Sequence, residues 1–229
     1  IDSRPALKQK MEEIQVWLDT NNVTPAMLQA HLATEALHDW PALRFGLETA
    51  LMDLQKGGRQ LLFDNAFSGG EQGIPINGLI WMGDKGFMQE QIRQKLTEGY
   101  TCLKLKIGSL DFATELEILK QIRDFASAKE LTIRVDANGA FSPEDAFRKL
   151  ERLSRYDLHS IEQPIRQGQQ EQMQQLCAYT PIPIALDEEL IGVQDAALQA
   201  ELLNFIQPQY IILKPTLVGG LQASAAWIG

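Results

Sequence analysis

The chain has 229 residues, of which 45% are hydrophobic and 22% charged, and its formal net charge is −9. That charge argues against a nucleic-acid partner, whose phosphates need a basic face, and against an anionic membrane surface. The sequence has no run of 18 apolar residues, so no membrane span is expected. The first residues show no secretory signal, and Cys102 and Cys177 lie far apart in the sequence. We therefore expect a cytoplasmic protein with reduced thiols.

The first 55 residues have the hydrophobic spacing of helices. The residues that recur at helical intervals are Leu7, Met11, Ile14 and Leu18. Thr24-Pro25 predicts the start of a second helix and Pro41 the start of a third, because proline fits the first helical turn. Gly57-Gly58 predicts the end of that helix. Residues 59–76 are rich in glycine and predict a connecting loop.

After residue 76, short β-rich runs alternate with amphipathic segments. The predicted strands are Gly78–Gly83, Tyr100–Gly108, Leu131–Gly139, Leu158–Pro164, Ile182–Leu190 and Tyr210–Gly220. The predicted helices are Phe87–Glu98, Phe112–Ala128, Pro143–Leu153, Gln169–Tyr179 and Val193–Leu203. One βα unit per roughly 25–30 residues predicts a parallel sheet with right-handed crossovers. This periodicity fits a doubly wound sheet and a barrel equally well.

Charged residues near the strand ends favour the barrel. Strands of a parallel sheet are covered on both faces, so a charge there needs a reason. Five of the six predicted strands carry one, in the order Lys104 with Lys106, Asp136, Glu162, Asp187 and Lys214. Charges at the same end of consecutive parallel strands converge when the sheet closes into a (β/α) barrel.

Each of these motifs also has an ordinary interpretation. The segment 103–106 alternates like a half-exposed strand, and the segment 136–139 has the composition of a turn. Glu162 alone is compatible with an ordinary strand end, and the segment 187–189 with a solvated loop. The ordered series at one repeat spacing is what favours a common site.

The charges predict metal-dependent proton transfer. Three converging carboxylates repel unless a hard cation binds them, so Asp136, Glu162 and Asp187 are the predicted ligands of Mg²⁺ or Mn²⁺. Lys104 and Lys106 lie two residues apart and share a strand face. A neighbouring ammonium and a dication both lower a lysine pKa, which prepares Lys106 to act as a general base. The predicted substrate is a small carboxylate, whose enediolate the metal stabilises.

A second, weaker candidate is an anion contact at Gly219-Gly220, which precede a predicted helix. Helix N-termini bind anions. A plain strand-to-helix turn explains the glycine pair equally well.

The complete set resembles the muconate-lactonizing branch of the enolase superfamily. The motifs that carry the resemblance are Lys104-x-Lys106, Asp136-x-Asn138, Glu162, Asp187-Glu188 and Lys214. Two longer segments, Ile184–Leu190 and Ile211–Gly220, are most similar to the o-succinylbenzoate-forming members of that branch. The helix Ala42–Leu54 is similar to the helix that precedes the barrel. The resemblance covers about residues 40–229.

The resemblance implies an N-terminal capping domain followed by a TIM-type (β/α)₇β barrel. It assigns residues 1–66 to the helical part of the capping domain plus a linker, and residues 67–229 to a partial barrel with strands 1–6. We expect the strands of the cap and the last two barrel strands to lie outside this sequence, because only cap helices appear here and six strands do not close such a barrel. Open sheet edges would then permit self-association.

The resemblance also implies an activity. It predicts dehydration of 2-succinyl-6-hydroxy-2,4-cyclohexadiene-1-carboxylate to o-succinylbenzoate. Lys106 would take the α-proton and then, as its ammonium, protonate the departing hydroxyl. Lys214 would remain a cation on the other face of the substrate and stabilise the enediolate. Lys104 would lower the pKa of Lys106, and Asn138 would orient its neighbours from behind the metal ligands.

Two alternatives remain open at this point. A racemase of N-acylamino acids or an epimerase of dipeptides would use the same fold, with Lys106 and Lys214 as acid and base on opposite faces. A non-catalytic fragment is an alternative of another class.

Overall fold

The computed structural model describes residues 4–229, and within them the chain alternates helices with short strands. The helices are α1 (Arg4–Thr20), α2 (Pro25–Leu32), α3 (Pro41–Gln55), α4 (Lys85–Thr97), α5 (Phe112–Phe125), α6 (Pro143–Leu153), α7 (Gln170–Tyr179), α8 (Ala196–Ile206), α9 (Pro215–Val218) and α10 (Leu221–Ala226). The strands are β1 (Gly78–Ile80), β2 (Cys102–Lys106), β3 (Thr132–Asp136), β4 (Ser160–Glu162), β5 (Ile184–Leu186) and β6 (Tyr210–Ile211).

All six strands form one parallel sheet in the order β1-β2-β3-β4-β5-β6. The order follows the chain without the reversal that defines a doubly wound sheet. Within residues 4–229, β1 and β6 each pair on one side only, so the sheet does not close. The predicted parallel α/β architecture, an incomplete barrel of six strands, is confirmed.

Helix boundaries follow local capping chemistry. The Thr24 side chain accepts a hydrogen bond from the Met27 N–H and begins α2, as the sequence predicts. Helix α6 has the predicted bounds, because Ser142 caps it and Pro143 occupies its first turn. Helix α8 begins three residues later than predicted, because the Asp195 carboxylate accepts hydrogen bonds from the first turn.

The strands are shorter than predicted, most of all β6. The predicted strand Tyr210–Gly220 is wrong beyond Ile211, where the ladder ends. Pro215 has no N–H for a sheet, and its fixed φ suits the first turn of a helix, so residues Pro215–Val218 form α9 instead.

The chain divides into two compact units, each with its own packing. One unit contains residues 4–74, 190–200 and 213–229, and the other contains Pro75–Glu189 with Glu201–Ile212. The first buries a cluster of helical side chains: Ile14, Leu32, Leu37 and Leu51. The second buries side chains of the sheet and of α5, among them Leu103, Leu105, Ile133, Ile118, Leu119 and Ile122. The predicted domain division between residues 66 and 67 stays a prediction.

None of the helices in residues 4–229 is long and apolar enough to cross a membrane. Cys102 and Cys177 form no disulfide. Burial raises the pKa of both thiols, that of Cys177 to about 12, so Cys177 is a poor nucleophile at neutral pH.

Candidate active site

The register of the sheet brings three predicted site residues into one row. Lys106 pairs with Asp136 across β2 and β3, and Asp136 pairs with Glu162 across β3 and β4. Partners in neighbouring parallel strands face the same side of the sheet, and so does Lys104, two residues before Lys106. These four side chains therefore form a continuous polar row on one face, near the carboxyl ends of three strands.

Direct contacts join the row. The Lys106 Nζ lies 2.6 Å from Asp136 Oδ2, and the Lys104 Nζ lies 3.0 Å from the same oxygen. Lys104 also donates to Glu162 Oε2. Asp136 and Glu162 are buried, while the lysine side chains keep 18% and 13% exposure for Lys104 and Lys106. The structure therefore confirms the predicted shared face of the two lysines and adds the carboxylates that hold them.

The pKa values of the two buried carboxylates, Asp136 and Glu162, shift in opposite directions. Burial, followed by a hydrogen bond with Asp136, raises the pKa of Glu162 to about 7, and Lys104 offsets part of that rise. Burial also acts to raise the pKa of Asp136, but hydrogen bonds from Glu162 and Lys106 and the charge of Lys104 outweigh it, so that pKa is lowered. Burial lowers the pKa of Lys104, yet its contacts with Glu162 and Asp136 raise it overall. The pair therefore favours one negative charge over two.

Asn138 links this cluster to the loop after β5. Its Oδ1 accepts a hydrogen bond from the Lys106 Nζ at 2.8 Å, and its backbone N–H donates to Asp136 Oδ1 at 3.1 Å. Its Nδ2 donates to Glu188 Oε1 at 2.9 Å. Asn138 thus contacts Lys106, Asp136 and Glu188, and its predicted orienting role stays a prediction.

Asp187 is buried one residue after the end of β5. It lies two residues beyond Ala185, the register partner of Glu162, so strand alternation assigns it to the same face. Its backbone N–H donates to Gln163 Oε1 at 3.1 Å. Within residues 4–229, no three His, Cys, Asp or Glu side chains are already arranged to hold a metal ion. The three-carboxylate ligand set therefore stays a prediction.

Chemically, the site fits a divalent cation. Among the described residues, Glu162 Oε1 is buried without a hydrogen-bond partner. A buried carboxylate oxygen without a donor is costly, and its chemistry is compatible with a hard cation as partner. Burial and the neighbouring Asp136 raise the pKa of Glu162, which reflects the cost of a second negative charge at this position. A cation held by these oxygens would relieve both costs.

The remaining predicted residues belong to the other compact unit. Lys214 is the N-cap residue of α9, and its position relative to the lysine–carboxylate row stays a prediction. Gly219 and Gly220 both donate their N–H groups to the Pro215 carbonyl. The next two N–H groups donate to the buried carboxylate of Glu48. An anion contact at the glycine pair stays a prediction, but all four N–H groups are engaged within the chain.

Gly220 has a specific reason to be glycine. Its φ is +112°, and a Cβ at this position would collide with Glu48 Oε2. The absence of a side chain lets the carboxylate of α3 reach the start of α10.

Sequence reasoning missed several residues that shape the site. Gln163 is fully buried, and its Oε1 also accepts from the Glu189 N–H at 3.3 Å. Glu189 in turn accepts from the Gly168 N–H at 3.0 Å. Trp81 lies over Lys106, with the Nζ 5.9 Å from the ring centroid. These contacts join distant segments, and only the position of Gln163 directly after Glu162 could have drawn attention to it.

The fold and the row together define a class of protein: a parallel (β/α) enzyme domain with lysines and carboxylates at the carboxyl ends of its strands. Residues 87–227 match the family model for the enolase C-terminal domain-like family. The chain belongs to that family, and so to the enolase superfamily.

Individual relatives are more specific. The chain is 59% identical over 189 residues to o-succinylbenzoate synthase of Desulfotalea psychrophila, covering 82% of this chain and 51% of the relative. The crystal structure of MenC from Desulfotalea psychrophila matches with a TM-score of 0.80 and 49% identity, over 99% of this chain and 64% of that one. An o-succinylbenzoate synthase from Thermosynechococcus elongatus with Mg in the active site matches with a TM-score of 0.67 and 27% identity, over 89% and 58%. The chain thus spans about half the length of the curated relative it matches.

Proposed function

We propose that this chain supplies the catalytic lysines and metal ligands of an o-succinylbenzoate synthase. The reaction is the loss of water from 2-succinyl-6-hydroxy-2,4-cyclohexadiene-1-carboxylate. The observation that carries the proposal is the row of Lys104, Lys106, Asp136 and Glu162, in a chain 59% identical to an enzyme of that name. The product would enter menaquinone biosynthesis, and a cytoplasmic location is part of the same proposal.

In this proposal Lys106 carries out both proton transfers. Asp136 and Asn138 hold its Nζ from two sides, at 2.6 and 2.8 Å, which fixes the atom that would receive the proton. Neutral Lys106 would take the α-proton of the carboxylate substrate. The resulting ammonium would pass that proton to the departing hydroxyl, which leaves as water. One base on one face is sufficient, because the proton that is removed is the proton that is returned.

Lys104 and Lys214 have charge-based roles. Lys104 bridges Asp136 and Glu162 and would keep a positive charge beside the base. Lys214 would remain protonated and stabilise the negative charge that develops on the substrate carboxylate.

The proposed cofactor is Mg²⁺ or Mn²⁺, held by Asp136, Glu162 and Asp187. These ligands offer only oxygen atoms, which is the donor type that hard divalent cations prefer. When bound, the cation would act as a Lewis acid towards the substrate carboxylate and so acidify the α-proton.

The decisive experiment is an assay of this chain with the cyclohexadiene substrate and Mg²⁺, following loss of the diene chromophore. We expect turnover that EDTA abolishes and that added Mg²⁺ restores. Turnover of an N-acylamino acid or a dipeptide, with none of the cyclohexadiene, would establish the racemase or epimerase alternative. The absence of both activities in a folded chain that still binds Mg²⁺ would favour the non-catalytic alternative.

Self-association is a further proposal about partners. Strands β1 and β6 each present a free edge within the described residues, and Leu79 and Tyr210 on these strands are exposed. Such edges pair readily with another chain. Sedimentation velocity over a range of protein concentrations tests this, and a monomer throughout would contradict it.

A further inference from the structure

Strand β1 is followed at the end of the sheet by an aromatic residue, Trp81, instead of a charged one. Its register with β2 pairs Leu79 with Lys104 and Ile80 with Leu105. The next step of that register sets Trp81 beside Lys106. By alternation, Trp81 faces the same side as Leu79 and therefore the same side as the lysine–carboxylate row. The strand without a charge thus contributes an indole to the row.

The indole is in contact with the proposed base yet open to solvent. The Lys106 Nζ lies 5.9 Å from the ring centroid, within the range of a cation–π contact. Trp81 nevertheless keeps 52% of its surface exposed. Half of a large apolar ring therefore remains available beside the atom that would move the proton. Tryptophan is enriched at interaction surfaces, because its ring is apolar and its N–H is polar.

The backbone at Trp81 is held by a side chain dedicated to it. The Trp81 N–H donates to Gln91 Oε1 at 2.9 Å, and Gln91 Nε2 donates to the Trp81 carbonyl at 3.0 Å. Gln91 belongs to α4, which is anchored by the buried side chains of Met88 and Ile92. The side-chain amide of Gln91 thus binds both backbone polar groups of Trp81 and fixes the backbone where the strand ends. The indole is thus presented from a rigid support.

The geometry points to Trp81 as the residue that binds the ring of the substrate and sets it against Lys106. This inference rests on the proposed function, because it takes its ligand from there: a six-membered diene ring that becomes aromatic in the product. A flat unsaturated ring matches the flat indole face, and offset stacking is favourable between such surfaces. Stacking on Trp81 would leave the ring carbon that loses its proton close to the Lys106 Nζ.

The test compares Trp81→Leu with Trp81→Phe, using o-succinylbenzoate as the binding probe in the presence of Mg²⁺. Titration calorimetry on the full chain should show affinity about three- to tenfold weaker for Trp81→Leu, and close to the parent for Trp81→Phe. With the diene substrate, Trp81→Leu should raise KM more than it lowers kcat. Phe125→Leu, which removes an exposed ring from α5, is the matched control and should leave both values unchanged.

Fluorescence provides a signature that a merely structural role would not produce. Product binding should quench tryptophan emission in the parent chain, and Trp81→Phe should remove that quenching. The other three tryptophans are less exposed than Trp81: Trp17 is stacked on His31, Trp40 is partly buried against the helical core cluster, and Trp227 is buried. Unchanged affinity in a folded Trp81→Leu would overturn the inference while the proposed function stands. Equal loss in the Leu and Phe variants would also overturn it, because phenylalanine preserves an aromatic face. A parent chain that neither turns over the substrate nor binds the product would remove the proposed function, and this inference with it.

Discussion

Two sets of buried carboxylates in this chain have different hydrogen-bond partners: Glu115 and Glu48 contact backbone groups, whereas Asp136 and Glu162 contact side chains. Glu115 is 3% exposed, and its Oε1 accepts hydrogen bonds from the backbone N–H groups of Gly108 and Leu110. Glu48 is 5% exposed and accepts from the N–H groups of Leu221 and Gln222. Both carboxylates join segments of backbone, so their role is complete within the fold.

Asp136 and Glu162 are equally buried, but side chains satisfy them instead. They contact each other and the ammonium groups of Lys104 and Lys106, and Glu162 retains one buried oxygen without a donor among the described residues. A cluster of charged side chains with an incomplete hydrogen-bond network is the arrangement expected of a site that takes a ligand. The comparison teaches that the type of partner, and not the degree of burial, separates the structural carboxylates from the proposed metal ligands.

The sharpest test of the functional side concerns the lysines. We expect Lys106→Arg to reduce turnover by roughly 10²–10⁴-fold, because arginine stays protonated and cannot act as the base. Lys214→Arg should retain partial turnover, because it preserves the positive charge that this residue would contribute. Steady-state assays with the cyclohexadiene substrate measure both.

Lys120→Arg is the matched control, since Lys120 pairs with Asp124 on the exposed face of α5. It should behave like the parent chain. If Lys106→Arg retained parent-like activity, Lys106 would not be the base. Exchange of solvent deuterium into an N-acylamino acid by Lys106→Arg, from one enantiomer only, would show Lys214 acting as a base and would favour the epimerase alternative.

The next test exchanges one carboxylate from each pair for its amide. Glu162→Gln should weaken Mg²⁺ binding at least about tenfold, because it replaces a charged oxygen ligand with a neutral one. Glu115→Gln removes a charge at similar burial but at a purely structural position, and it should leave the affinity unchanged. Titration calorimetry with Mg²⁺ measures both variants. Equal affinities in the parent and Glu162→Gln would remove Glu162 from the ligand set.

The difference between the two pairs also explains what the sequence could reveal. The row at the strand ends was predictable, because sheet alternation and one charge per βα repeat place Lys106, Asp136 and Glu162 at the same level. The sequential order of the six strands followed from the strand-end charges, which favoured a barrel, because the repeat alone fitted a doubly wound sheet equally well. The bounds of α6 followed from Ser142 and Pro143, which act on their immediate neighbours.

The structural pair could not be predicted, because its partners lie elsewhere in the chain. Glu48 caps a helix that begins at Leu221, and no local pattern marks such a contact. Trp81 escaped a search for charged strand ends because its strand brings an aromatic ring instead. The two hydrogen bonds from the Gln91 side chain to the Trp81 backbone depend on how α4 packs beside β1. Periodicity alone does not specify that packing.

Removal of a structural carboxylate should reduce stability while leaving Mg²⁺ binding intact. Glu115→Ala deprives the Gly108 and Leu110 N–H groups of their acceptor, which should lower the free energy of unfolding by about 1–3 kcal/mol. Glu48→Ala should have a similar effect through α10. Glu117→Ala is the control on the same helix as Glu115, because its exposed ion pair with Lys85 contributes at most about 1 kcal/mol. Urea denaturation measures all three, and parent-like stability of Glu115→Ala would show that its hydrogen bonds are replaced by water.

The smallest expected effect is a pH dependence that belongs to Glu115 alone. Burial raises the pKa of Glu115, although hydrogen bonds from the backbone of Gly108 and Leu110 act in the opposite direction. Because the folded-state pKa lies above the unfolded value of about 4.3, the folded chain binds this proton more tightly. Ionisation of Glu115 therefore costs stability progressively as the pH rises from the unfolded pKa to the folded pKa, and the cost is constant above that window.

Glu115→Gln resembles the protonated side chain and keeps an oxygen that can accept the same N–H groups. The difference in unfolding free energy between Glu115→Gln and the parent should therefore shift in favour of the variant as the pH rises through that window. Groups that titrate elsewhere affect both chains equally and cancel in the difference. Urea denaturation at a series of pH values from about 4 upward measures it. A difference in unfolding free energy that stayed flat with pH, or that increasingly favoured the parent, would contradict this expectation. It would mean that hydrogen bonds from the backbone N–H groups fully compensate the buried charge. Glu115 would then be more completely satisfied by the fold than its raised pKa indicates.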